Sequence, residues 1–133
     1  MKIHNILITG AGGYIGRQLV SNLANHGNHV GQIVAMDIQP MPIEDRLLNV
    51  EYVIEDIRSP LLTEILESWN IDTVIHLAAI VNPGKHSNRK YEYSVDVLGT
   101  KNLLDACLAK EVKRFIITSS GACLLYTSDA ADE

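Results

Sequence analysis

The residues best suited to chemistry in this chain are glycines and strand-end polar groups near the N-terminus. Thr9 to Gly16 reads TGAGGYIG. It follows an apolar run, residues 3–8, that reads as a buried parallel strand. It opens residues 14–28, where Ile15, Leu19, Val20 and Leu23 recur at helical spacing. A strand, a tight glycine turn and a helix N-terminus form a phosphate cradle, because orphan backbone N–H groups and the positive end of the helix dipole converge there. The glycines answer separate needs: Gly10 the sharp turn, Gly13 close approach of backbone to a pyrophosphate, Gly16 packing of helix on strand. The spacing is GxxGxxG, with Ile15 standing where the GxGxxG form has its last glycine. Asp37 follows about twenty residues later, at the end of a second predicted strand, where a carboxylate can accept hydrogen bonds from an adenosine ribose diol. The same charge repels a 2′-phosphate, and no Arg or Lys follows it closely, which favours NAD over NADP.

These groups need a scaffold, and the rest of the chain reads as one. Strands are expected over residues 32–36, 50–54, 72–77 and 114–118, and helices over 61–69 and 91–110. Pro40 and Pro42 mark a surface loop over 39–49, and Asn, Pro, Gly and Ser mark another over 81–90. In the long helix Val95, Leu98, Asn102 and Ala106 are expected to share a face. Strands alternating with helices predict an α/β fold, a doubly wound parallel Rossmann sheet ordered 3-2-1-4-5. Ligands bind at the carboxyl ends of such strands. Asp56 and Ile57 fall just beyond the third strand, the small residues Leu77-Ala78-Ala79 close the fourth, and Thr118, Ser119 and Ser120 supply hydroxyls after the fifth.

Composition bounds the alternatives. At 133 residues and 47% hydrophobic, the chain is at most one domain with a real core. A formal net charge of −5 with scattered Lys and Arg offers no face for nucleic acid and no polybasic membrane patch. Cys107 and Cys123 make no zinc pattern and no disulfide framework, which suits a cytoplasmic protein. Residues 3–8 are too short for a membrane span. His76 reads as a packed strand-end histidine rather than a metal ligand, and Cys107 as core. Glu44-Asp45 and Glu55-Asp56 read as solvated pairs.

Taken together, TGAGGYIG, Asp37, EDIR around Asp56, TVIHLAA ending at Ala79, VLGTKNLL after Asp96, and RFIITSSGA resemble, in family order, the extended short-chain dehydrogenase/reductase family. These are the NAD-dependent epimerases and dehydratases of nucleotide sugars. The resemblance implies that Gly10, Gly13, Tyr14, Ile15 and Gly16 hold the pyrophosphate and Asp37 the adenosine ribose. Asp56 and Ile57 would border the adenine, and Leu77, Ala78 and Ala79 would lie beside the nicotinamide end. Ser120, or else Ser119 or Thr118, would be the active-site hydroxyl. It also implies a nucleotide sugar as small-molecule substrate, hydride transfer as the reaction, and a homodimer as a candidate assembly. Asp96 stands where the family often has Asn, and either contacts the cofactor or fixes the helix. The family's Tyr-x-x-x-Lys pair is missing: none of Tyr14, Tyr52, Tyr91, Tyr93 or Tyr126 has Lys four positions on. That Tyr is the acid/base, its pKa lowered by the Lys.

The tail bears on the missing pair. Residues 123–133, CLLYTSDAADE, match the in-frame translation of a transposase sequencing adapter. The expected organisation is therefore an incomplete NAD-binding domain over 1–122, ending soon after strand five, followed by a non-native tail over 123–133. On that expectation the chain is a catalytically inert piece of a longer enzyme. Two rivals remain: a non-catalytic dinucleotide sensor that binds a protein partner, and an NADP-linked reductase, which Asp37 disfavours.

Overall fold

The computed structural model describes residues 3–77 and 89–118, with Arg89, Glu92 and Ser94 described in their backbone only. Among these residues five parallel strands form one sheet: β1 (His4–Thr9), β2 (Val30–Asp37), β3 (Glu51–Ile54), β4 (Thr73–His76) and β5 (Arg114–Ile117). Their order is β3-β2-β1-β4-β5, as expected from the alternating pattern. In β1 and β2, Ile6 to Ile8 and Ile33 to Met36 are all buried, the continuous burial of strands covered on both faces.

The two faces separate by alternation. Ile6, Ile8, Ile33 and Ala35 pack with Ala11 and Val20 on the side of α1 (Tyr14–His26). Leu7, Val34, Met36 and Val74 point the other way, against Leu62, Ile65 and Leu66 of α2 (Leu62–Ser68) and Leu103, Ala106 and Cys107 of a C-terminal helix. Helix α2 and that C-terminal helix each end in a left-handed residue, Asn70 (φ 50°) and Glu111 (φ 56°). After each, the next N–H reaches back to close the helix: Ile71 to the carbonyl of Leu66, and Val112 to that of Cys107, both at 2.9 Å.

The C-terminal helical region departs from expectation. Residues 89–109 are three segments: α3 (Arg89–Tyr93), a π-helical stretch (Ser94–Gly99) and α4 (Thr100–Ala109). Arg89 and Lys90, read as loop, are helical. The wider π turn advances the chain by about one residue relative to an α-helix. Val95 still packs on the core, but Leu98 is 48% exposed, and Gly99, Leu103, Ala106 and Cys107 take the inward positions. Of the expected face, Val95, Asn102 and Ala106 do turn inward, and only Leu98 does not.

Smaller differences follow local chemistry. The loop over 39–49 contains a 3₁₀ turn (Ile43–Asp45), and α2 runs from Leu62 to Ser68, one residue shorter at each end than expected. On β5, the outer strand among the described residues, Ile116 and Ile117 are about half exposed.

Candidate cofactor site

The carboxyl ends of β1, β2, β3 and β4 surround a cleft of about 250 Å³. Gly10, Gly13, Met36, Asp37, Ile38, Glu55, Asp56, Ile57 and Leu77 line it, and Tyr91 and Val95 close it from the helical side.

Its floor is the glycine turn. Gly10 adopts φ 70°, a left-handed conformation glycine takes without strain. The Ala11 N–H donates to the Met36 carbonyl at 3.1 Å, which pins the turn to β2. At Gly16 a Cβ would lie 2.3 Å from the Gly10 carbonyl oxygen and 2.7 Å from Ala11 Cα. Gly16 therefore lets α1 press onto the turn itself, not onto the strand as first read. Helix α1 begins after Gly13 with no side-chain cap and no acidic residue in its first turn. Its first intrahelical bond runs from the Arg17 N–H to the Gly13 carbonyl at 2.9 Å, so the N–H groups of Tyr14, Ile15 and Gly16 have no intrahelical acceptor. That donor set fits a pyrophosphate. The side chains of Tyr14 and Ile15 are mostly exposed and lie outside the cleft lining, so what these two positions offer an anion is backbone.

Asp37 caps the second strand. One carboxylate oxygen accepts the Gly12 N–H at 2.9 Å and the other the Gln39 N–H at 3.0 Å. A carboxylate has about four acceptor positions, so room remains for two ribose hydroxyls. Arg17 is the residue the sequence argument missed here. It is distant from Asp37 in sequence but shares a second cleft with it, donating from Nε to the Gly12 carbonyl at 3.0 Å and approaching Asp45 at 3.4 Å. The signal was its place one turn after Gly13, on the helix that the turn starts. Asp45, read as solvated, is thereby half of an ion pair.

Asp56 and Ile57 reach the cleft as expected. Arg58 forks onto the Asp56 carboxylate (Nη2 at 2.6 Å, Nε at 3.0 Å) and holds it below the ordinary carboxylate range. The Arg58 guanidinium also lies 5.3 Å from the centre of the Tyr91 ring. Ile57 is buried, and its carbonyl accepts Asn102 Nδ2 at 2.8 Å. Asp96 lies half-buried in the π segment, outside the cleft lining. Thr118 follows β5, its N–H 3.5 Å from the His76 carbonyl, and is exposed away from the cleft. Ala78, Ala79, Ser119 and Ser120 lie outside the described residues.

Behind the cleft stands a polar cluster that joins three of the sequence blocks, Thr9 of TGAGGYIG, His76 of TVIHLAA and Thr100 of VLGTKNLL. His76 is 2% exposed, with Nδ1 2.7 Å from Thr9 Oγ1 and Nε2 2.9 Å from Thr100 Oγ1. Burial pushes its pKa down, opposed by the Asp96 charge. Cys107 is core as read, its thiol pushed up to about 11 by burial. Among the described residues no group of three or more His, Cys, Asp or Glu could hold a metal, and no helix is long and apolar enough to cross a membrane.

The arrangement has known counterparts. Residues 7–128 match the 3-beta hydroxysteroid dehydrogenase/isomerase family. A UDP-glucose 4-epimerase of Halalkalibacterium halodurans is 35% identical over 88% of this chain and 35% of its own length. A 3-beta-hydroxysteroid dehydrogenase of Mycolicibacterium neoaurum is 30% identical over 93% of this chain and 34% of its own. The crystal structure of UDP-glucose-4-epimerase from Stenotrophomonas maltophila, with bound NAD and formylated UDP-arabinopyranose, superposes with a TM-score of 0.77 at 25% identity, over 90% of this chain and 38% of that one. The chain thus spans about a third of the length of these relatives. By the family match, the fold and the shared motifs, the chain belongs to the 3-beta hydroxysteroid dehydrogenase/isomerase family, within the extended short-chain dehydrogenases/reductases.

Proposed function

We propose that the cleft binds NAD and that the chain is the cofactor-binding part of an epimerase, dehydratase or dehydrogenase. Its substrate would be a nucleotide sugar or a similar secondary alcohol. The observation that carries this reading is the pairing of an uncapped glycine turn with Asp37 across one cleft. In this reading the N–H groups of Tyr14, Ile15 and Gly16 hold the pyrophosphate, and Asp37 accepts the adenosine ribose hydroxyls. Asp56 and Ile57 border the adenine, and Leu77, with Ala78 and Ala79, flanks the nicotinamide end. NAD, when bound, supplies the hydride acceptor. Ser120, or its neighbours Ser119 and Thr118, would hydrogen-bond the substrate hydroxyl and orient it. The chain itself contains no Tyr-x-x-x-Lys acid/base pair, so we expect it to bind without turning over.

The family match gives a second substrate class, a hydroxysteroid, which shares the oxidisable secondary alcohol. The experiment is a titration of NAD and NADP into the chain and into Asp37→Ala. The reading expects NAD to be preferred and the preference to shrink about tenfold or more in the variant, as for loss of a charge-assisted hydrogen bond. Equal binding of both cofactors by the unaltered chain would count against it.

Residues 1–122 would be the NAD-binding unit and 123–133 an adapter-derived tail. The family match runs past Ala122, to residue 128. Reading the coding strand separates the two origins, since synonymous departures from the adapter at several codons would rule the tail native.

A further inference from the structure

We infer that His76, bridging Thr9 and Thr100, is a positioning residue that sets the shape of the cofactor cleft. The inference rests on reading that cleft as an NAD site. The imidazole is enclosed on three sides: Thr9 of β1, Thr100 of α4, and Phe115 of β5, whose ring centre lies 6.1 Å away. Each hydroxyl can donate or accept, so either neutral tautomer satisfies both ring nitrogens.

What makes this more than a satisfied core histidine is where each partner leads. Thr9 directly precedes Gly10, the left-handed start of the glycine turn. Leu77, next after His76, lines the cleft, and its N–H donates to both the carbonyl and the hydroxyl of Thr9, each at 3.1 Å. Thr100 follows the π segment, whose Val95 forms a wall of the same cleft. Turn, β4 end and helical wall are therefore tied at one point: Thr9 and His76 each adjoin a lining residue, and Thr100 lies five residues after Val95 on the same helical run. A π turn is rare and is found frequently at functional sites. The Thr100 hydroxyl on His76 anchors the C-terminal end of this one.

The test uses the full chain with NAD as the probe. Thr100→Val keeps the side-chain shape and removes the hydroxyl, leaving His76 Nε2 without that partner. We expect its NAD dissociation constant to rise about tenfold, and Thr100→Ser to restore it to within about twofold, the scale of one buried unsatisfied group. In the unaltered chain, the ¹⁵N resonances of the His76 ring should read neutral and should move on NAD addition. That measurement does not depend on the variants folding. Unchanged NAD affinity in Thr100→Val, or a His76 ring that NAD leaves unshifted, would overturn the inference while the NAD reading stands. An unaltered chain that fails to bind NAD would overturn both.

Discussion

At the Asp37 end of the cleft the hydrogen bonds run from backbone N–H groups to a carboxylate within reach of solvent. Behind Leu77 they run between side chains sealed from water. The two ends should therefore fail differently. A backbone cradle is preformed by chain geometry, and its specificity rests on one charge that can be exchanged at modest cost. A buried side-chain cluster gains little net stability when complete but costs the full desolvation of its orphans when broken.

The largest effect should come where the cradle has no slack. Gly16→Val would drive a branched side chain into the Gly10 carbonyl and Ala11. We expect a loss of about 3 kcal/mol or more, from overpacking against backbone that cannot yield, with loss of any NAD binding. Chemical denaturation checks this. A Gly16→Val chain of ordinary stability would show that the turn is softer than its geometry indicates.

Next is the buried cluster. His76→Leu takes the imidazole from the hydroxyls of Thr9, which keeps the Leu77 N–H, and of Thr100, and should cost about 2–3 kcal/mol, the upper range for one unsatisfied group. By contrast, Asp37→Ala at the other end should change cofactor preference by about tenfold while altering fold stability by about 1 kcal/mol, since it frees two solvent-accessible N–H groups. If Asp37→Ala destabilises the fold more than His76→Leu does, the contrast between the two ends is wrong.

Acid sharpens the comparison. The folded pKa of His76 lies below its ordinary 6.5, so in the interval beneath that value the unfolded chain binds the proton first. The stability this group confers is complete above about pH 6.5 and declines as pH falls toward the folded value. Asp56 is held by Arg58, and Asp72, despite partial burial, accepts the Asn5 N–H at 3.0 Å and the Thr73 hydroxyl at 2.7 Å. Both also titrate below their ordinary 3.8, so what they contribute is intact above that and is lost only in stronger acid. Unfolding free energy should thus fall as pH drops below about 6.5, and His76→Gln should flatten part of that slope. An identical slope in the variant would place the acid sensitivity elsewhere.

The ease of reading the two ends from sequence follows the same division. The cradle was legible because its chemistry is local. Gly10, Gly13 and Gly16 fall in one short stretch after an apolar run, and Asp37 ends the next strand. The sheet order followed from strands alternating with helices. His76, Thr9 and Thr100 are separated by dozens of positions, and no periodicity joins them. His76 read correctly as packed, but its partners were invisible until the strands paired. The π turn was missed because Val95, Leu98, Asn102 and Ala106 fit an unbroken α-helix. The inward positions actually taken, Val95, Gly99, Leu103 and Ala106, are also helically spaced, so nothing in the pattern marks the π turn. Arg17 was overlooked because proximity to Asp37 was sought along the chain, whereas the glycine turn folds it back.

The smallest effect lies away from both ends. Glu111 closes α4 in a left-handed conformation that costs a non-glycine residue about 1 kcal/mol. Glu111→Gly should raise stability by no more than that and leave cofactor binding unchanged, which would serve as the control for every comparison above.

The central claim is that one cleft, floored by the glycine turn and edged by Asp37, holds NAD. Its most direct test is an amide-resolved NMR titration of the chain with NAD, repeated with NADP. The account predicts saturable shifts at Gly10 to Gly16, Asp37, Ile57 and Leu77, at lower concentration for NAD than for NADP. Shifts absent from the glycine turn, or an equal response to both cofactors, would contradict it.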